Sequence, residues 1–93
     1  MKIDFQLVDF QWDQRNKFKN LTKHGITNEE AEEAFFDPHA RTRKTSIGRH
    51  LHLGKTFSGK YLFQIFEFVE NNEIRIISSR QMTAKEKQIY HRK

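Results

Sequence analysis

The sequence predicts an α+β domain: an antiparallel sheet of about four strands, with two helices from the N-terminal half and one C-terminal helix packed against it. Three observations carry that expectation. The periodic segments run strand, two helical stretches, a series of strands, then a last helical stretch. The breaks between strands hold turn-forming pairs, Ser58-Gly59 and Asn71-Asn72. The chain has 93 residues, nine of them Phe, which suits one compact domain whose core rests on large rings. No repeat, low-complexity tract or linker divides it, so residues 1–93 are read as a single domain.

The first strand is expected over residues 5–12, where Val8, Phe10 and Trp12 alternate with Asp9 and Gln11. A helix follows over residues 13–24, ending in Lys23 and His24, with Gly25 as a left-handed stop. Phe18 and Leu21 give it a narrow apolar stripe, while Arg15, Lys19 and Lys23 recur on the outside. Thr27 and Glu30 have capping-box spacing and open a second helix, residues 28–36, with Ala31, Ala34 and Phe35 on one face. Asp37-Pro38 ends it, because the residue before a proline is pushed out of helical geometry and the proline has no amide proton.

Residues 41–45 are polar and read as either a short edge strand or a loop. Residues 49–56 place Leu51 and Leu53 on one side of a strand. Ser58-Gly59 turns the chain into residues 61–69, apolar on both faces as expected of the sheet's middle strand. Asn71-Asn72 turns it again into an adjacent antiparallel strand, residues 73–79. Thr83 and Glu86 repeat the capping-box spacing before a charged helix over residues 84–92.

Seventeen Lys and Arg against twelve Asp and Glu give a formal charge of +5, which favours polyanionic partners such as nucleic acid or acidic protein segments. There is no Cys, which excludes disulfides and thiol chemistry. No export-type start and no apolar run near the roughly 20 residues of a membrane span is present. A cytoplasmic protein without membrane contact is expected.

Metal chemistry is not expected. His50 and His52 share a strand face, but no third ligand has suitable spacing, and solvent-facing strand histidines are the simpler reading. Gly48 and Gly54 are isolated, so no phosphate-binding glycine loop exists, and no Ser lies in a nucleophile elbow. The remaining chemistry lies in cations with aromatic neighbours: Lys19, Lys23, His24, Arg49, Lys55, Arg75 and Arg80. Metal-free RNA cleavage needs an acceptor for the 2′-hydroxyl proton, a cation against the phosphorane charge and a donor for the leaving oxygen, and Lys, Arg and His supply all three. Arg75 interrupts an isoleucine-rich strand, so it faces either a polar cleft or a carboxylate such as Glu67. Trp12 either stacks on a base or packs at the core's rim.

The stretches from Phe10 to Lys17 (Phe-Gln-Trp-Asp-Gln-Arg-Asn-Lys), from Asn20 to Thr27 and from Glu30 to His39 resemble the N-terminal half of BrnT-family toxins. Ile74-Arg75-Ile76-Ile77-Ser78-Ser79-Arg80, with the charged helix ending near Tyr90, is similar to their C-terminal half. The resemblance implies a type II toxin with a RelE-like α+β fold that cleaves RNA without a metal or other cofactor. It also implies neutralisation by a cognate, BrnA-like antitoxin carrying a DNA-binding ribbon-helix-helix domain, so that DNA contact falls to the partner. By position it makes Lys23, His24, Arg75 and Arg80 the catalytic set; Trp12, Lys19, Arg49 and Lys55, from the residue reading above, are expected to bind RNA. In that division the arginines hold the phosphate, Lys23 assists and His24 moves the proton. The basic segment Arg41, Arg43 and Lys44 departs from the acidic one common in relatives. Two competing readings remain: a non-catalytic module that binds nucleic acid or antitoxin as a co-repressor, and an inactive toxin remnant.

Overall fold

The computed structural model describes residues 9–12, 24–69 and 72–92. Five strands form one sheet: β1 (Asp9–Phe10), β2 (Arg41–Ser46), β3 (Arg49–Lys55), β4 (Tyr61–Val69) and β5 (Glu73–Gln81). Helix α1 (Asn28–Glu33) continues into a 3-10 turn, Ala34–Phe36, and α2 (Ala84–His91) closes the chain. The strand order is β1-β5-β4-β3-β2. Among the described residues no helix is long and apolar enough to cross a membrane.

This corrects the expected antiparallel sheet of four strands. β1 lies parallel to β5, with Asp9 opposite Glu73 and Phe10 opposite Ile74, so the sheet is five-stranded and mixed. The backbone amides of Asp9 and Gln11 donate to the carbonyls of Asn72 (3.0 Å) and Ile74 (2.8 Å). Alternating hydrophobicity reveals that one face of a strand is buried but not which strand is its neighbour, and a parallel partner lies far along the chain. From residue 25 onward the described residues hold one central and one C-terminal helix. The helix expected over residues 13–24 lies outside the described residues except for His24, which is helical and exposed. Gly25 follows it at φ +70°. Residues 5–8 of the expected first strand also lie outside.

The local signals were obeyed. Thr27 accepts from the Glu30 amide at 3.1 Å while Glu30 returns a bond to the Thr27 amide at 3.0 Å, and Thr83 with Glu86 repeats the box on α2. The segment 41–45, either strand or loop by sequence, belongs to an edge strand whose six residues are all exposed. β4 is the middle strand, and Asn72 turns into β5 with φ +62°.

Both sheet faces are covered, but unequally. On one face α1 and the 3-10 turn bury Ile26, Ala31, Ala34 and Phe35 against Leu62, Phe66, Ile74 and Ile76. On the other, α2 packs Tyr90 and Ile89 with Met82 against Leu53, Leu51, Tyr61 and Phe63. The first is the larger core; on the second face α2 covers only one end of the sheet.

His50 and His52 share a face, as their spacing predicts, but it is the helix-side core rather than solvent. His52 is fully buried and stacks on Phe35, ring centroids 4.3 Å apart. Its Nε2 lies 2.8 Å from the Ala34 carbonyl, which can only accept, so Nε2 carries the proton and Nδ1 accepts from the Thr42 hydroxyl at 2.8 Å. Two residues on, a side chain at Gly54 would place its Cβ 2.2 Å from the same Ala34 oxygen. His52 and Gly54 together seat the 3-10 turn on β3.

Candidate nucleic-acid interface

Arg75 and Arg80 are five residues apart on β5, a separation that in a regular strand sends side chains to opposite faces. A β-bulge changes this. Ser78 pairs with Ile65 and Ile76 with Phe66, leaving Ile77 as the extra residue. Parity reverses across it, so Arg75 and Arg80 both stand on the face opposite α1, while Ile74, Ile76 and Ser79 are buried on the other.

The strand register fills in that face. Glu67 of β4 lies directly between Arg49 of β3 and Arg75 of β5, which places the carboxylate suggested by the sequence as Arg75's cross-strand neighbour. Farther along, Phe63 lies between Leu53 and Arg80, and Arg43 of β2 opposes Leu51. Three of the expected site residues, Arg49, Arg75 and Arg80, are thereby collected on one face of the sheet, with Arg80 beside the first turn of α2.

Arg80 is held firmly. Its Nη1 and Nη2 donate to the two oxygens of Glu86 at 2.8 and 2.9 Å, Nη1 also reaches the Gln81 carbonyl at 3.1 Å, and the guanidinium carbon lies 3.9 Å from the Phe63 ring centroid. The hydrogen bonds from Arg80 hold the Glu86 carboxyl below its usual range despite some burial, with help from the Thr83 amide. The same contact raises the Arg80 pKa, so its charge is permanent. Glu86 is also the capping-box residue of α2. The first turn of α2 therefore fixes where Arg80 points. Glu86 takes the Nη1/Nη2 edge of the fork and leaves the Nε edge, the geometry that accepts two oxygens of a second anion.

Between α2 and the sheet runs a groove of about 520 Å³, lined among others by Arg41, Arg43 and Phe63 of the strands and Glu86, Ile89 and Arg92 of α2 and its end. Sequence reasoning singled out the basic segment of Arg41 and Arg43, but missed Arg92 as part of a site and missed Glu86 and Phe63 as supports for Arg80. The Thr83-to-Glu86 spacing was the available signal, since a capping box turns the acid back toward the strand it follows.

The other expected residues lie elsewhere. Lys55 belongs to the same face but stands at the far end of β3, opposite Tyr61 and with Nζ 5.7 Å from its ring. Trp12 packs against the helix-side core and donates from Nε1 to Glu32 at 2.6 Å, the rim role rather than an open stacking platform. His24 is exposed and precedes by two residues Ile26, which is buried in that same helix-side core. Lys19 and Lys23 lie outside the described residues. Among the described residues no three His, Asp or Glu side chains gather as a metal-binding group.

A family model described as the ribonuclease toxin BrnT of type II toxin–antitoxin systems matches residues 12–86. No curated protein sequence matches significantly. Among solved structures, the fold is similar to the crystal structure of the Brucella abortus ribonuclease toxin BrnT, with a TM-score of 0.67 at 22% identity over 82% of this chain and 97% of that one. The match over residues 12–86 spans most of the chain, including α1, the bulged strand β5 and the Arg80–Glu86 pair. The chain belongs to the BrnT family of type II toxin–antitoxin ribonuclease toxins.

Proposed function

We propose that the chain cleaves RNA without a metal ion on the open sheet face, and that a cognate BrnA-like antitoxin with a ribbon-helix-helix DNA-binding domain neutralises it. The observation that carries the reading is the bulge at Ile77, which puts Arg75 and Arg80 on one face with Arg49. Family membership supplies the substrate class and the antitoxin.

In the reaction the RNA 2′-oxygen attacks the adjacent phosphorus, and the bond from phosphorus to the 5′-oxygen breaks. A base takes the 2′-hydroxyl proton and an acid delivers one to the leaving oxygen. Negative charge grows on the two other phosphate oxygens, and fixed guanidinium groups lower its energy most when they need no rearrangement. Arg80, braced by Glu86 and Phe63, meets that requirement through its Nε edge. Arg75 and Arg49 flank the path of the strand, and Lys23 assists at the phosphate. His24, expected to move the proton, stands next to the helix-side core rather than on this face, so its role is tested against that of Glu67. Glu67, whose register position sets it between Arg49 and Arg75, is the second proton acceptor to test.

Purified protein with end-labelled RNA in excess EDTA provides the test. Cleavage should persist in EDTA and vanish in Arg80→Glu, and expression of that variant without antitoxin should no longer arrest growth. Retention of RNA without fragments would establish the non-catalytic module instead. Comparing His24→Ala with Glu67→Gln identifies the base: the variant that loses the alkaline-rising part of the rate profile carries the proton.

A further inference from the structure

We infer that the C-terminal end of α2 carries a second phosphate-binding site, formed by Arg41, Lys55 and Arg92, which grips the RNA strand away from the bond that is cut. This rests on the proposed RNA-cleaving function and extends it past Arg49, Arg75 and Arg80 to the far end of β3 and the C-terminal end of α2.

The site is a concavity of about 360 Å³ lined by His39, Arg41, Lys55, Tyr90, His91 and Arg92. That is room for roughly a dozen waters, enough for a phosphate with its ribose and too small for a helix or strand of another protein. Three of its six residues carry permanent positive charge and two more are histidines. Asp37, the nearest carboxylate, is already engaged: it accepts from the Tyr90 hydroxyl and from the backbone amides of His39 and Lys55. Burial opposes ionisation of Asp37, but those hydrogen bonds outweigh it and hold its pKa below the usual value.

A helix C-terminus attracts cations on its own account, and here Arg41 meets that demand, donating from Nε to the Tyr90 carbonyl at 3.1 Å. Lys55 and Arg92 are not needed for it. Among the described residues neither pairs with a carboxylate, and both are exposed. The walls supply rings as well: Tyr61 stands edge-on to Tyr90 and His91 at 5.6 and 5.4 Å. Cations interleaved with aromatic edges suit a single nucleic-acid strand, whose phosphates and bases need both. The concavity also shares Arg41 and Arg92 with the groove beside Glu86, so the two adjoin around the end of α2.

The test is the double variant Lys55→Gln/Arg92→Gln in the full chain, with Arg41 kept because it caps α2. Both side chains are exposed, so the fold should be unchanged by circular dichroism. With a single-stranded RNA blocked against cleavage by 2′-O-methylation, the dissociation constant at moderate salt should rise about tenfold. The slope of log affinity against log salt should fall by roughly 0.7 for each phosphate that the variant no longer neutralises. On cleavable RNA, KM should rise while kcat stays within about twofold, and Lys55→Arg/Arg92→Lys should restore both binding and slope. Inorganic phosphate alone should shift the His39 and His91 ring signals in the native protein and not in the double variant.

Native protein that binds RNA, paired with a double variant of equal affinity and slope, overturns this inference and leaves the cleavage reading standing. Native protein that neither binds nor cleaves RNA overturns both. A double variant with weakened antitoxin affinity and unchanged RNA binding would assign the pocket to the protein partner and overturn it too.

Discussion

Lowering the pH should weaken this protein chiefly through one residue, His52. The imidazole is fully buried, and burial pushes its pKa from 6.5 to about 4, only partly opposed by its hydrogen bond to Ala34 and the nearby Asp37 charge. In the unfolded chain the ring titrates near the ordinary value. Between these two values the unfolded state binds more protons than the folded one, so stability rises with pH there. The contribution is complete above pH 6.5, is lost as pH falls toward 4 and changes no further below that. At roughly 1.4 kcal/mol per pH unit, the loss is about 3 kcal/mol, a large part of the roughly 5–15 kcal/mol typical of a small domain. Urea unfolding at intervals from pH 7.5 to 3.5 measures it. His50, whose pKa is lowered by burial and the nearby Lys44 charge, adds a slope of the same sign. Glu30, Asp37 and Glu86 also have lowered pKa values, and their contribution falls only from about pH 4.5 downward, at the foot of the His52 window. His52→Gln provides the control: it should be less stable at pH 7, because the Ala34 carbonyl and Thr42 hydroxyl lose well-placed partners, and much flatter from pH 6.5 to 4.5. A native chain equally stable across that interval, or a variant with the same slope, would refute the reasoning.

Three further outcomes follow from particular contacts. Gly54→Ala forces a methyl group against the Ala34 carbonyl, and thermal unfolding should show a loss of about 1–3 kcal/mol, the usual cost of overpacking. Glu86→Gln keeps a capping-box residue but removes the charge that pairs with Arg80. Stability should change by less than about 1 kcal/mol, while kcat for RNA cleavage falls roughly tenfold, equivalent to about 1.4 kcal/mol in the barrier. Tyr90→Phe removes the hydroxyl that bonds Asp37; NMR titration should then find the Asp37 carboxyl titrating at higher pH, with about 1 kcal/mol of stability lost.

Most of the local architecture was legible because its signals are local. Both capping boxes, the stop at Gly25, the break at Asp37-Pro38 and the Ser58-Gly59 turn depend on residues a few positions apart, and each works as its chemistry dictates. The two hairpins β3–β4 and β4–β5 then follow, and with them the neighbours of Glu67. What was not legible depends on distant partners. No pattern in Asp9-Phe10 reveals that its neighbour is Glu73-Ile74, so the parallel edge of the sheet was invisible. The period of two showed that His50 and His52 share a face, but not that α1 covers it.

The site shows the same division. Arg75 and Arg80 were identifiable as a pair, yet strict alternation would separate them across the sheet. Only the extra residue Ile77 reunites them, and a bulge leaves no mark in a run such as Ile-Arg-Ile-Ile-Ser-Ser-Arg. Trp12 was ambiguous because an indole suits a base or a core equally, and the Glu32 carboxylate that takes its N–H lies twenty residues away. The pocket at the end of α2 draws on Arg41, Lys55 and Arg92, which no sequence window contains together.

The central claim is that Arg75 and Arg80 act together on one bound RNA strand from one sheet face. A double-mutant cycle on single-turnover RNA cleavage, with Arg75→Gln, Arg80→Gln and the pair, tests it most directly. The account predicts that each single variant loses most of the rate and that the pair loses far less than the product of the two, because residues acting as a unit are not additive. Full cleavage by either single variant, or losses that simply multiply, would contradict it.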